Sequence, residues 1–312
     1  MRAISQESLG GPEVLKVVEV ERPVPGPTEV LVRVHAAGVN PTDWKTRKTG
    51  GLRPWEQPFL HGYDVSGVVE ATGPGAALWK PGDEVFGMLK YPENAGGYAE
   101  YVTAPSRHLT RKPARIDHVH AAAIPLAALT AWQALVDTGG LKSGDRVLIH
   151  AAAGGVGHLA VQIAKARGAH VIGTASAPRH DFLRDLGADE LVDYRDADFA
   201  AEVKDVDLVL DTIGGEYGPR SLRTLRPGGT IVSLTLSLLD PTLHDRAAEL
   251  GIRDEAILVE PDQAGLKAIA ALVSAGRLRV QVAAALPLAE AARAHELGET
   301  NRTAGKLVLT CD

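Results

Sequence analysis

Gly154, Gly155 and Gly157 are the residues best placed to do chemistry, because they join a short apolar run to a helical pattern. Val147, Leu148 and Ile149 follow a Ser-Gly-Asp turn and read as a parallel strand buried on both faces. Residues 151 to 153 are alanines, small enough for a ligand to come close. The glycines permit a tight turn without Cβ clashes. From His158 onward, Leu159, Ile163, Ala164 and Ala166 suit a helix packed on a sheet, and Gly168 suits its end. A helix starting over such a turn presents free N–H groups and the positive end of its dipole, which is the chemistry of a pyrophosphate site. A glycine turn can also be only a turn. The run from His170 to Thr174, a second strand at the spacing of a βαβ unit, favours the ligand.

The residues after that second strand bear on which dinucleotide would bind. An acid about 20 residues after the glycines would suit a ribose 2′-hydroxyl. Here the order is Thr174-Ala175-Ser176-Ala177-Pro178-Arg179-His180, and the first acid, Asp181, falls in the next helical pattern. Hydroxyls and a cation suit a 2′-phosphate, so the expected cofactor is NADPH rather than NADH. Arg179 read as a solvated first-turn residue is the alternative. A cation at that helix end opposes the dipole, which favours the ligand role.

The elements that must position these groups fall into two classes. Residues 1 to about 118 read as short strands with frequent Gly/Pro turns, a barrel-like β region. Its exceptional loop is Gly38-Val39-Asn40-Pro41-Thr42-Asp43-Trp44-Lys45. Asn40 precedes a proline and is pushed to extended geometry, and Asp43 resembles an early residue of a short helix. Ordinary turn chemistry accounts for the same residue types. From Asp117 the pattern changes to an alanine- and leucine-rich helix over 121–135, broken at Pro125. Strand-like runs at 191–194, 206–211 and 230–234 then alternate with helices, which predicts a parallel, doubly wound sheet. Thr212 and Leu234 should lie on the same rim as the glycines. Residues 240–253 suggest a helix, 256–259 a last short strand, 261–275 a helix, and the chain then returns to strands.

The 312 residues are enough for two cores, with 45% hydrophobic and 23% charged residues and a net charge of −6. That charge gives no reason to expect nucleic acid or an anionic membrane as partner. No secretory or membrane-length apolar run is present, so a cytoplasmic location is the default. Cys311 is the only cysteine, which excludes an internal disulfide and a cysteine zinc cluster.

The run Gly144-Asp145-x2-Leu148-x3-Ala152-Ala153-Gly154-Gly155-x-Gly157-x4-Gln162-x2-Lys165 resembles the signature of quinone oxidoreductases and zeta-crystallin, in the medium-chain dehydrogenase/reductase superfamily. The similarity covers nearly the whole chain, from the segment 30–43 to the closing Gly305-Lys306-Leu307-Val308. It implies a GroES-like catalytic domain of residues 1–118 and 260–312, and a Rossmann domain of residues 119–259 inserted between them. It implies that Asn40 faces the nicotinamide ribose and substrate, and that Thr130 lies near the nicotinamide end. Gly154, Gly155, Val156 and Gly157 form the pyrophosphate turn. Ser176 and Arg179 occupy the 2′-phosphate region, where relatives often carry lysine. Tyr194 lies near the adenosine ribose phosphate, and Thr212 and Leu234 on the nicotinamide rim. It also implies a homodimer joined through the last Rossmann strand. Zinc-dependent relatives place a cysteine near Asn40 and Gly-His-Glu where this chain has Gly62-Tyr63-Asp64. Tyr63 thus replaces a metal ligand, and His118 and His120 diverge on a helix. The expected activity is zinc-independent hydride transfer from NADPH to a quinone, with Asn40 or Tyr63 donating a hydrogen bond to the developing oxyanion. The alternatives are an enone or alkenal double-bond reductase and a non-catalytic NADPH-binding protein.

Overall fold

The computed structural model describes residues 1–52, 59–235 and 242–311. The chain forms two compact units, Met1–Leu129 with Glu260–Asp312, and Thr130–Val259. The change of unit at Leu129 comes later than the change of composition at Asp117. Helix His118–Ala122 and the start of helix Pro125–Trp132 therefore belong to the first unit.

The first unit is a GroES-like β domain. Its central strand, Glu29–Val39, pairs antiparallel with Asp64–Thr72 on one side and Lys306–Thr310 on the other. That second pairing stitches the C-terminal residues onto the N-terminal sheet. Val30, Val32, Val34, Val65, Val69 and Val85 are buried together in its core. The β-branched runs supply that core because alternate side chains of a strand share a face. The same unit holds strand Lys16–Glu19, after a one-turn helix Pro12–Val14, and strand Val282–Pro287, where the chain returns to strands as expected.

The second unit is a Rossmann-type parallel sheet of six strands. In spatial order they are Glu190–Val192, His170–Thr174, Arg146–Ile149, Val206–Asp211, Leu225–Ser233 and Arg253–Ala256. Leu148, Ile172, Val209 and Ile231 are buried on both faces, as helix-covered parallel strands require. The order reverses between Arg146–Ile149 and Val206–Asp211, so the crevice for a ligand opens at their carboxyl ends.

Two element assignments need correction. The edge strand is Arg253–Ala256, not 256–259. Backbone register with Thr230–Ser233 fixes it there, and the polar Arg-Asp-Glu run is acceptable because an edge strand has one open side. The segment read as a helix from residue 240 begins outside the described residues, and the helix observed is Leu243–Glu249. Among the described residues no helix is long and apolar enough to cross a membrane.

Candidate active site

Helix Pro41–Thr49 starts at Asn40, whose φ of −129° and ψ of 154° are the extended geometry expected before proline. The Asp43 carboxylate accepts the Asn40 backbone N–H at 2.7 Å, so the turn is pinned by a capping interaction. The Asn40 side chain also bonds beyond the cap. Its Nδ2 donates to Asp64 Oδ2 at 2.9 Å, and its Oδ1 accepts from Lys306 Nζ. Lys306 Nζ also donates to the Val39 carbonyl at 3.0 Å, and Asp64 Oδ1 accepts the Leu126 N–H at 2.7 Å. Asn40, Asp43, Asp64 and Lys306 are all buried, at 1%, 0%, 0% and 3% exposure. The centre is thus a closed polar knot built from the first helix, two strands and the C-terminal strand.

Burial dominates its electrostatics. It raises the Asp43 carboxyl to about 7 and the Asp64 carboxyl to about 6, the latter against the pull of Lys306. The Lys306 ammonium is pushed down by the same burial, with both acids opposing. Two acids facing one ammonium keep a proton into the neutral range. Tyr98 donates to Asp43 Oδ2 at 2.9 Å, whereas Asp43 Oδ1 has no partner among the described residues. Tyr63 is 2% exposed and meets the Tyr91 ring edge-on at 4.9 Å. Burial, then Asp43, raises its hydroxyl far above the ordinary tyrosine value, so Tyr63 stays a proton-bearing donor.

The raised acids give a pH signature. Asp43 moves from 3.8 in the unfolded chain to about 7 in the folded one. Its stabilising contribution is complete below the unfolded value and disappears as pH rises through the folded one. The slope is at most about 1.4 kcal/mol per pH unit for one proton. Buried His61, lowered to about 3, and His295, lowered by burial, act in the opposite sense below their ordinary range. The effect is therefore read as a difference: Asp43→Asn should lose less stability, relative to the parent, at pH 8 than at pH 5. Equal differences in chemical denaturation at the two pH values would contradict the assignment.

In the second unit, the glycine turn occupies the crevice end of strand Arg146–Ile149. Ala151 adopts a φ of 45°, and the Gly154 N–H returns to the Ala151 carbonyl at 2.8 Å. Helix Gly157–Ala166 follows; the N–H groups of His158, Leu159 and Ala160 donate to the Gly154 and Val156 carbonyls at 3.2, 3.1 and 2.9 Å, and the positive end of the helix dipole faces the turn. A Cβ at Gly157 would lie 2.3 Å from the Ala151 carbonyl oxygen and 2.7 Å from the Ala152 Cα. The helix start and the turn therefore touch backbone to backbone. Thr212 Oγ1 donates to the His150 carbonyl at 2.9 Å, and the Leu234 N–H donates to the Asp211 carbonyl at 3.0 Å. Thr212 and Leu234 thus continue the same rim. Ser233 Oγ and Thr235 Oγ1 there are buried without partners among the described residues. A backbone cradle and spare hydroxyls fit a dinucleotide. Thr130 is buried, 7% exposed, in helix Pro125–Trp132.

Ser176 precedes a single helical turn, Ala177–Arg179, and Arg179 is exposed. Asp193 and Tyr194 read as strand residues in the sequence, but the strand stops at Val192. Both therefore join the rim. Asp193 accepts the Ala177 N–H at 2.7 Å and the Arg195 N–H at 3.0 Å. Tyr194 is 47% exposed, with the Arg195 guanidinium 5.9 Å from its ring centre. Asp193 was missed because its strand, read over 191–194, is longer than its pairing with 172–174 allows, and Arg195 because it follows that run.

His150 was missed as well. It is fully buried, with Nε2 at 2.8 Å from Ser221 Oγ and Nδ1 at 3.2 Å from Thr174 Oγ1. Burial lowers it to about 3, so it is a neutral brace between two strand ends and helix Tyr217–Ser221.

Residues 26–114 match the family described as alcohol dehydrogenase GroES-like domain, and residues 186–309 that described as zinc-binding dehydrogenase. Human quinone oxidoreductase is 31% identical, over 99% of this chain and 97% of that protein. The Coxiella burnetii quinone oxidoreductase structure superposes with a TM-score of 0.94 at 38% identity, covering 100% of this chain and 99% of that one. The chain belongs to the quinone oxidoreductase family. Another relative of known structure is the Escherichia coli quinone oxidoreductase complexed with NADPH. It has a TM-score of 0.91 at 29% identity, with full coverage of both chains.

This family member keeps little of a zinc site. His61 Nε2 lies 2.5 Å from Gln6 Oε1, and among the described residues no group of three or more His, Cys, Asp or Glu is placed to hold a metal. His118 and His120 go separate ways: the first meets Ser66 Oγ at 2.8 Å and stacks on His35, the second meets Asp117 at 2.7 Å.

Proposed function

We propose that the chain is an NADPH-dependent reductase of quinones that works without zinc. Its oxidoreductase class follows from the family. The quinone acceptor, the NADPH preference and the residue roles are this proposal. The observation that carries it is the Asn40 knot. A neutral carboxamide sits where the resemblance puts a zinc-binding cysteine, and the one cysteine of the sequence is Cys311.

NADPH bound at the glycine turn would supply the hydride. The backbone of the turn Gly155–Gly157 and the positive end of the helix that follows would hold the pyrophosphate, and the hydroxyls of Thr212 and Ser233 are proposed to lie toward the rest of the cofactor. Ser176 and the exposed Arg179 would meet the 2′-phosphate, with Arg195 a second cation and Asp193 holding the loop in shape. Thr130 and Leu234 would line the nicotinamide end, and Tyr194 the adenosine ribose. Hydride addition to a quinone or to an activated C=C leaves negative charge on a carbonyl oxygen. The Asn40 N–H and the Tyr63 O–H are the donors proposed to receive it. A homodimer through the edge strand Arg253–Ala256 completes the proposal.

One experiment separates the readings. NADPH and NADH oxidation are followed against a quinone panel and an enone panel, in the parent and in Arg179→Ala. The expected result is turnover with quinones, faster with NADPH. Arg179→Ala should raise the KM for NADPH about tenfold, a loss of about 1.4 kcal/mol, with little change for NADH. Turnover only with enones would move the function to double-bond reduction. Saturable NADPH binding without oxidation by either panel would leave a binding protein. Equal effects of Arg179→Ala on both cofactors would remove Arg179 from the phosphate site.

A further inference from the structure

The geometry points to Lys306 and Asp64 as positioning residues that lock the Asn40 carboxamide in one orientation, so that it offers an N–H donor, never a carbonyl acceptor, to the reacting molecule. This rests on the proposed place of Asn40 at the reaction centre and goes beyond it. A carboxamide can flip, exchanging its oxygen and nitrogen at almost no cost in shape. Here it cannot. An ammonium has three donors and no acceptor, so the atom facing Lys306 Nζ must be Oδ1. Asp64 Oδ2 is the facing acceptor on the other side, so that atom must be Nδ2. A flipped amide would set N–H against ammonium and oxygen against carboxylate at both ends.

The lock is itself held. Lys306 Nζ is anchored on the Val39 carbonyl at 3.0 Å, and Asp64 Oδ1 on the Leu126 N–H at 2.7 Å. Lys306, Asp64 and Asn40 are each at most 3% exposed, so water offers no easy alternative partner. With Oδ1 and one N–H of Asn40 engaged, the second Nδ2 hydrogen has no partner among the described residues. Leaving a buried donor unmade is costly, so a fixed and unused N–H is a marker of a group waiting for an acceptor. The ligand class this selects is a carbonyl, enolate or phenolate oxygen. Lys306 and Asp64 do not touch that oxygen; they act through Asn40.

The test uses the full chain and a readout independent of turnover. The sequence holds only three asparagines, Asn40, Asn94 and Asn301, so selective 15N-asparagine labelling yields three side-chain amide pairs. In the unliganded parent protein, one Asn40 proton should be protected from exchange, and the pair widely split. Lys306→Met and Asp64→Leu should each collapse that splitting. With quinone and NADPH, both variants should lower kcat on the order of 10²-fold, the scale of a misplaced catalytic group, with the KM for NADPH nearly unchanged. Lys306→Arg, which keeps the donors, should restore most of it.

Parent Asn40 protons that exchange and resonate like those of Asn94 and Asn301 would overturn the lock even if no variant folded. Lys306→Met as active as the parent, beside an impaired Asn40→Ala, would sink the positioning role alone. Unchanged turnover in Asn40→Ala would sink the reaction-centre reading, and the amide spectrum would then decide the lock by itself.

Discussion

Asn40→Ala should lower kcat for quinone reduction by about 10²- to 10³-fold, the loss seen when one oxyanion donor is removed, or about 3–4 kcal/mol of transition-state stabilisation. The KM for NADPH should change little, because the interaction is made only as charge develops on the acceptor. The substitution also leaves the Lys306 ammonium and the Asp64 carboxylate without their shared partner. Breaking a buried polar network costs about 3–5 kcal/mol in the severe case, so the variant should melt lower. The kinetic effect must be measured on folded protein, counted by NADPH titration. A variant that melts lower but turns over normally per binding site would make Asn40 a structural residue.

Gly157→Ala should remove cofactor binding while leaving the β domain intact. The added methyl would fall 2.3 Å from the Ala151 carbonyl oxygen, 2.7 Å from the Ala152 Cα and 2.8 Å from the Ala152 carbonyl carbon. All three are backbone atoms, so no side chain can swing aside. The helix must move off the strand, and overpacking of this kind costs about 1–3 kcal/mol. The same shift moves the turn backbone and the positive end of the helix away from the pyrophosphate, so NADPH affinity should fall at least about tenfold. Gly154→Ala is the control. Its Cβ would meet only the Ala151 oxygen, at 3.1 Å, and a few tenths of an ångström of give would accommodate it. Fluorescence titration of NADPH into both variants checks the contrast. Comparable loss in both would mean that the turn needs glycine for another reason.

Much of this was legible before any coordinates. The glycine turn, the βα alternation and the proline break at Pro125 are local signals, each decided within a dozen or so residues by period, size or ring geometry. What escaped was set by partners distant in sequence. Lys306 sits 266 residues from Asn40, and nothing in the run Gly305-Lys306-Leu307 says that its ammonium is buried. His150 meets Ser221 across 71 residues, so it looked like a strand residue and no more. Asp193 and Tyr194 seemed to continue a strand whose length is fixed by its pairing with Ile172, Gly173 and Thr174. The edge strand was displaced for the same reason: hydrophobicity pointed to residues 256–259, whereas register with Thr230–Ser233 selected Arg253–Ala256. Asn40 was legible as a candidate and as the start of a helix, but not the bonds of its carboxamide to Asp64 and Lys306, which are distant in sequence.

In the proposed reaction NADPH gives hydride directly to a quinone, and the Asn40 donor meets the developing charge. Single-turnover absorbance of NADPH deuterated at C4 tests it most directly, with a quinone in excess and parent and Asn40→Ala side by side. The account predicts rapid loss of the NADPH signal in the parent, slowed by the deuterium. In Asn40→Ala the loss should be about 10²-fold slower again and still isotope-sensitive. Loss at the same rate with either isotope and in either protein would contradict it, as would bound NADPH that a quinone never consumes.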